Sequence, residues 1–147
     1  MHSILQIKSR HLIKCMLTID NTYEGLVYDG SPPLEEYIPD VQNSVWFILL
    51  KDGCTSGLVK LDYLNFILWV PHIFIYKEYR GQDSEIWGKM VAQEMREKYG
   101  AKKFLALTPY KSAKEFAERV GFSYVTTLHN SIKKDGKLLD QYMLEMS

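Results

Sequence analysis

Tyr79-Arg80-Gly81-Gln82-Asp83-Ser84-Glu85-Ile86 is the stretch on which the reading of this 147-residue chain turns. An apolar, strand-like run from Phe66 to Ile75 precedes it, and an amphipathic, helix-like run from Ser84 to Tyr99 follows. A strand that enters a short Arg-Gly turn and leaves as a helix aims backbone N–H groups outward at a helix N-terminus. That arrangement holds anions such as a pyrophosphate. Asp83 and Glu85 work against such a use, since a carboxylate beside a solvated diphosphate costs about 1 kcal/mol and more when buried. The same residue types also suit helix capping by Asp83 or Ser84, with Glu85 at the positive end of the helix. Outward-pointing carboxylates leave room for an anion; inward-pointing ones close the turn to it.

The elements around this stretch follow from periodicity and turn residues. Ser3 to Ile7 alternates as a strand, and Leu12, Ile13, Met16 and Leu17 give helical spacing over His11 to Ile19. Gly30, Pro32, Pro33 and Pro39 break Gly25 to Asp40 into loop, with one short helix near Leu34 to Tyr37. Val45 to Leu50 and Gly57 to Asp62 read as a hairpin around Lys51-Asp52-Gly53. Phe66 to Ile75 reads as the longest strand, buried on both faces, with a bulge at Pro71 because proline cannot donate to a ladder. In the following helix Ile86, Met90, Val91 and Met95 fall on one side, and Gly100 ends it. Phe104 to Leu107 is a short strand. Ala113 to Val120 is a helix with Phe116, Ala117 and Val120 inward. Tyr124 to Ile132 and Lys137 to Met146 close as a hairpin around Asp135-Gly136. The order β α α β β β α β α β β predicts a mainly antiparallel sheet of six to seven strands with helices packed on both faces, in one domain over residues 1–147.

Bulk composition narrows the function classes. Eighteen basic residues balance eighteen acidic ones, so no net field favours nucleic acid or an anionic membrane. Cys15, on the apolar side of its helix, reads as packing, whereas Cys54 beside Gly53 is placed in an exposed turn; neither suggests a disulfide framework. Lys8, Arg10 and Lys14 interrupt any leader-like apolar core, and no apolar run approaches the roughly 20 residues of a membrane helix, so a cytoplasmic location is expected. His2, His11, His72 and His129 are scattered without metal-ligand spacing. Trp46, Trp69 and Trp87 fall in regular elements and read as core or sheet-face residues.

Four segments together resemble the GNAT (Gcn5-related N-acetyltransferase) superfamily. Ile75 to Gly81 looks like the end of its fourth strand and its pyrophosphate loop, and Ala101 to Thr108 like its fifth strand. Ala113 to Phe122, ending Arg119-Val120-Gly121-Phe122, looks like its Gly-Phe helix, and Lys134 to Gln141 like its final hairpin. In flavour the chain is most similar to small GNAT-like proteins encoded by bacteriophages. The resemblance implies acetyl-CoA as acyl donor and a small-molecule or protein amine as acceptor. Pantetheine would lie between two splayed strands at Ile73, Phe74 and Ile75, and the pyrophosphate on Arg80, Gly81, Gln82, Asp83 and Ser84.

His72 lies where the family often carries a base, although the residues alone favour a hydrogen-bonded core or sheet-face histidine. The family's acid, a tyrosine four residues before Gly-Phe, falls on Ala117, which leaves Tyr110 as a displaced acid; Tyr76 and Tyr79 also approach the cleft. Departures at Asp83, Glu85, Tyr110 and Ala117 suggest a second reading: a GNAT-fold phage protein that has lost catalysis and contacts a virion or host protein in the bacterial cytoplasm. The resemblance also allows a homodimer.

Overall fold

The structure is a computed structural model and describes residues 1–81 and 83–147. Seven strands form one sheet: β1 (His2–Ile7), β2 (Ser44–Lys51), β3 (Cys54–Tyr63), β4 (Leu68–Ile75), β5 (Lys103–Thr108), β6 (Ser123–Lys134) and β7 (Lys137–Met146). Their spatial order is β1-β2-β3-β4-β5-β7-β6. Neighbours are antiparallel except β4 and β5, which run parallel. Among the described residues four α-helices complete the fold: α1 (Arg10–Leu17), α2 (Thr22–Leu26), α3 (Glu85–Tyr99) and α4 (Lys111–Val120). The mainly antiparallel sheet with helices on both faces is realised, and the predicted order holds except at the second helix. Among the described residues no helix is long and apolar enough to cross a membrane.

Strand alternation divides the core in two. Val45, Phe47 and Leu49 of β2, Val59 and Leu61 of β3, and Trp69 and Ile75 of β4 face α3, which contributes Trp87, Val91, Ala92 and Met95. Trp46 and Ile48, Leu58, and Tyr76 face the other way, against Ile13, Met16 and Leu17 of α1 and Tyr23 of α2. All three tryptophans are buried, and Trp87 Nε1 donates to the Leu50 carbonyl at 3.0 Å across the sheet edge. Helix α1 begins at Ser9, whose side chain accepts from Leu12 N at 3.1 Å. It ends before Asp20 and Asn21, both left-handed at φ 51° and 57°. Asp20 then accepts from Lys77 N at 2.8 Å, tying this corner to the end of β4.

Several expectations are corrected. The strand predicted from Phe66 begins at Leu68; Phe66 and Ile67 are exposed, and β6, with 12 residues, is the longest strand. Residues inside β4 are mostly half-buried because open space, not core, borders much of it. Pro71 makes no bulge: it pairs in register with Leu61. The bond from Tyr76 N to Ser56 O sets the alternation, so the backbone of residues 71, 73 and 75 faces away from β3 and Pro71 forfeits no ladder bond there. Ile86 is exposed, and the buried face of α3 is Trp87, Val91, Ala92 and Met95. Cys15 is exposed rather than packed, as is Cys54. The short helix near Leu34 is a 3₁₀ turn over Leu34–Glu36, and α2, inside the predicted loop and its approach, was not read from sequence.

Candidate functional site

β4 and β5 are neighbours for only two residue pairs, Leu68↔Lys103 and Trp69↔Phe104. Beyond Trp69 the strands diverge, and a cavity of about 560 Å3 opens between them. Its floor carries Pro71, Ile73 and Ile75; its sides carry Ala106, Leu107 and Thr108 of β5, and Phe116, Ala117 and Val120 of α4. The alternation set by Tyr76 directs the Ile73 N–H and C=O, the Ile75 N–H and the Pro71 C=O into the opening. An extended chain with amide groups finds there the partners that a strand would.

The Arg-Gly turn closes one end. Arg80 Nε donates to the Ile75 carbonyl at 2.7 Å, and the guanidinium lies 5.0 Å from the centre of the Phe74 ring. Arg80 is thereby folded back onto the mouth of the opening. Gly81 follows with φ 117°, a conformation that a side chain resists, and open space surrounds the place where a Cβ would stand. Ser84 is buried, and its hydroxyl donates to the Gly81 carbonyl at 2.8 Å, so it braces the turn instead of capping α3.

The two carboxylates stand off the cavity wall. Asp83 is exposed in a left-handed conformation (φ 67°), on the side where it influences His2. Glu85 reaches Arg119 of α4, with 3.9 Å between Oε2 and Nε. Neither lines the cavity, whereas Arg80, Gly81 and Ser84 do. Gln82, the remaining candidate of this turn, lies outside the described residues.

His72, on β4, faces the α1/α2 side of the sheet. The register opposes Ser44 to Asp62, Trp46 to Lys60 and Lys60 to His72, which gathers these five side chains on one face. Asp62 receives three donors: His72 Nε2 at 2.9 Å, Ser44 Oγ at 2.6 Å and Lys60 Nζ at 3.2 Å. Burial opposes its ionisation, but the hydrogen bonds from His72 and Ser44 and the charge of Lys60 win and hold the carboxyl well below the usual range. The Lys60 ammonium also lies 5.7 Å from the centre of the Trp46 ring. Asp62 and Lys60 were missed from sequence; their signal was a pair of charges at period 2 in an otherwise apolar strand.

His72 borders a second cavity of about 250 Å3 as well. Leu17, Tyr23, Val27, Ser31, Tyr37, Trp46, Lys60 and Asp62 line it, and Leu26, Tyr28 and His72 are common to both cavities. Tyr28 is another residue missed from sequence. Burial, with a smaller contribution from neighbouring Tyr110, pushes its phenol up, so it stays protonated near neutrality. Tyr110 lines the larger cavity and is half exposed. Tyr76 is buried in the α1/α2 core with its phenol pushed up to about 12 by burial, away from both cavities. Tyr79 lines neither cavity.

The tip of the β6–β7 hairpin is clasped to the segment that carries Tyr28. Lys134 Nζ donates to the carbonyls of Glu24 at 2.8 Å and Val27 at 3.0 Å, capping the end of α2, and lies 5.8 Å from the Tyr28 ring centre. Asp29 accepts from Asp135 N at 3.0 Å and Gly136 N at 2.8 Å. These bonds lower its pKa, the Gly136 N–H contributing most.

No protein-family model matches the sequence, and no curated protein sequence matches it either. Solved structures do match in fold. The spermidine N-acetyltransferase of Vibrio cholerae, solved with CoA and spermine, superposes with a TM-score of 0.78 at 14% identity, over 99% of this chain and 94% of that one. The ribosomal-protein-S5-alanine acetyltransferase of Vibrio fischeri gives 0.77 at 11% identity, over 99% and 92%. The microcin C7 self-immunity acetyltransferase, solved with acetyl-CoA and AMP, gives 0.75 at 11% identity, over 98% and 92%. At such identities the likeness concerns architecture, and the architecture of this chain is the GNAT fold.

Proposed function

We propose that this chain is an acyl-CoA-dependent N-acyltransferase that moves an acetyl group from acetyl-CoA to an amine. The observation that carries the reading is the opening between β4 and β5, lined by unladdered backbone on one side and ended by Arg80-Gly81. The residues present fit such a donor: a cationic side chain and an open glycine turn for the diphosphate, and strand amides at Ile73 and Ile75 for pantetheine. Acetyl-CoA bound there supplies a thioester carbonyl activated toward amines. Phe74 contributes from the side, as the apolar support of the Arg80 guanidinium.

The chain's own chemistry centres on His72. With Nε2–H given to Asp62, the tautomer leaves Nδ1 as the acceptor of the amine's proton. Asp62 orients the ring and stabilises the imidazolium that results. Tyr110 and Tyr28, whose phenols are on the cavity wall, are the proton donors available to a departing thiolate. The competing reading, a fold kept for a virion or host-protein contact without catalysis, draws on the missing phenol at Ala117, which does line the cavity. Its other supports, Asp83 and Glu85, are turned elsewhere.

Calorimetric titration of the chain with acetyl-CoA tests the proposal. Saturable binding is expected, and Arg80→Glu should weaken it at least tenfold. An absence of binding at millimolar acetyl-CoA refutes the enzyme reading, and unchanged affinity in R80E removes the diphosphate from this turn.

A further inference from the structure

The second cavity is charged in a way that selects its ligand. Among the described residues lining it, Asp62 is the single carboxylate, and its capacity is nearly spent. A carboxylate offers about four lone-pair sites, and Ser44, Lys60 and His72 already address three of them. Lys60, in contrast, brings three N–H donors, one of them turned to Asp62, and its ammonium is held over Trp46 at the cavity wall. Tyr37, also in the lining, has its phenol pushed up by burial and by Asp62 and Asp40, so it also offers an O–H. The unspent charged capacity of this cavity is therefore cationic donor capacity at Lys60, while His72 Nδ1 remains a neutral acceptor. A ligand must bring acceptor oxygens and no large surplus of positive charge.

Geometry sets the length of that ligand. Lys60 and His72 are directly opposed cross-strand partners on one sheet face, in the hydrogen-bonded alternation set by Tyr76 and Ser56. Such partners stand about 5.5 Å apart at Cα. An anion held by Lys60 and an amine presented to His72 are thus separated by only a few bonds. The remaining wall, with Tyr23, Tyr28, Tyr37, Trp46, Leu17 and Val27, is aromatic and aliphatic, and suits an apolar side chain.

We propose that this cavity is the acceptor site, and that it takes a compact amine bearing a carboxylate, of the free amino acid class. Lys60 receives the carboxylate, the aromatic wall receives the side chain, and His72 faces the amine where the two cavities meet. The inference rests on the acyl-transfer reading for its use of the amine, but the recognition it describes is independent of acetyl-CoA. A polyamine is disfavoured by the same chemistry: its several ammonium groups would meet one already compensated carboxylate and a lysine.

The test titrates the whole chain calorimetrically with alanine, leucine and phenylalanine, with their C-terminal amides, and with spermidine. CoA release from acetyl-CoA is measured on the same panel. At least one free amino acid should bind tenfold or more tightly than its amide, and spermidine should bind more weakly than that acid. Lys60→Met should remove the acid-over-amide preference, and Lys60→Arg should retain it. If Lys60→Met does not fold, Lys60→Gln serves in its place. The proposal is overturned if amides or spermidine bind as well as the acids, if loss of the lysine charge weakens acids and amides alike, or if no amino acid binds. Failure of the acyl-transfer reading has a separate signature, the absence of acetyl-CoA binding, which none of these amino acid titrations registers.

Discussion

Replacing Asp62 by Asn probes the cluster on which both the base and the acceptor site depend. The substitution is isosteric but turns one oxygen into a donor NH2 group. That group then faces either the Lys60 ammonium with Ser44 alongside, donor to donor, or His72 Nε2, which accepts it only by moving its proton to Nδ1. A hydrogen bond to a charged group contributes about 1.5–3 kcal/mol when sheltered. The carboxylate is 34% exposed, which screens it, so we expect a loss of about 1–2 kcal/mol near neutral pH. For a chain of this size that is a fall of about 3–6 °C in Tm. The sign with pH follows from the lowered folded-state pKa of Asp62. A depressed carboxyl contributes stability in full above its unfolded value near ~3.9 and loses it as pH falls through the lower folded value. Urea unfolding of wild type and D62N from pH 7 down to pH 3 should show a gap that is constant above about pH 5 and narrows below the ordinary carboxyl range. A gap that persists undiminished to pH 3, or D62N as stable as wild type at pH 7, would refute the charge cluster.

Three further outcomes follow from packing and the clasp. Gly57→Ala places a Cβ 2.4 Å from the Phe74 carbonyl oxygen, a backbone atom that cannot rotate away, so it should cost about 3 kcal/mol in urea unfolding; a neutral result would mean that β3 and β4 are not in this register. Ala117→Trp fills the space between α4 and β4 at the cavity wall. It should abolish the stabilisation by acetyl-CoA, which for wild type at 100 times Kd is about 2.7 kcal/mol, and a retained thermal shift would place the donor elsewhere. Asp29→Ala leaves the Asp135 and Gly136 N–H groups without their acceptor. Hydrogen exchange at those two amides should accelerate, and in wild type the same protection should fade as pH drops below the usual carboxyl range, because the clasp lowers the Asp29 pKa; exchange unaffected by the mutation would show that the clasp does not hold the hairpin tip.

Much of the architecture was legible because the elements carry their own periods. Helix α4 and the β6–β7 hairpin were read to within a few residues from Phe116, Ala117 and Val120 and from Asp135-Gly136. What failed did so where a neighbour overrides the local pattern. Ile86 satisfies helical spacing yet is exposed, because the sheet meets α3 one residue further on, at Trp87. Pro71 signals a bulge in isolation, but its missing N–H points into the opening where β5 has already diverged. The candidate site divides in the same manner. Arg80, Gly81 and Ser84 were identifiable from a contiguous strand-turn-helix signature, and they do line one cavity. Lys60 and Asp62 carried only the weak signal of two charges at period 2 in β3, and nothing local sets Tyr28 apart; what makes them a site is the pairing of β3 with β2 and β4.

The sequence by itself determined the order of the strands, the strand-to-helix turn at Arg80-Gly81 and the absence of a tyrosine at Ala117, all properties of short contiguous windows. Only the tertiary structure decided which way Asp83 and Glu85 point. Asp83 is turned outward by its left-handed backbone, and Glu85 is drawn to Arg119, which lies 34 positions away in the chain on another helix. It also decided the face of His72, because a one-residue change of register would have carried that side chain to the α3 side of the sheet, away from Asp62. Charge direction and strand register depend on contacts between segments distant in sequence, and those contacts are what turn a legible fold into a particular site.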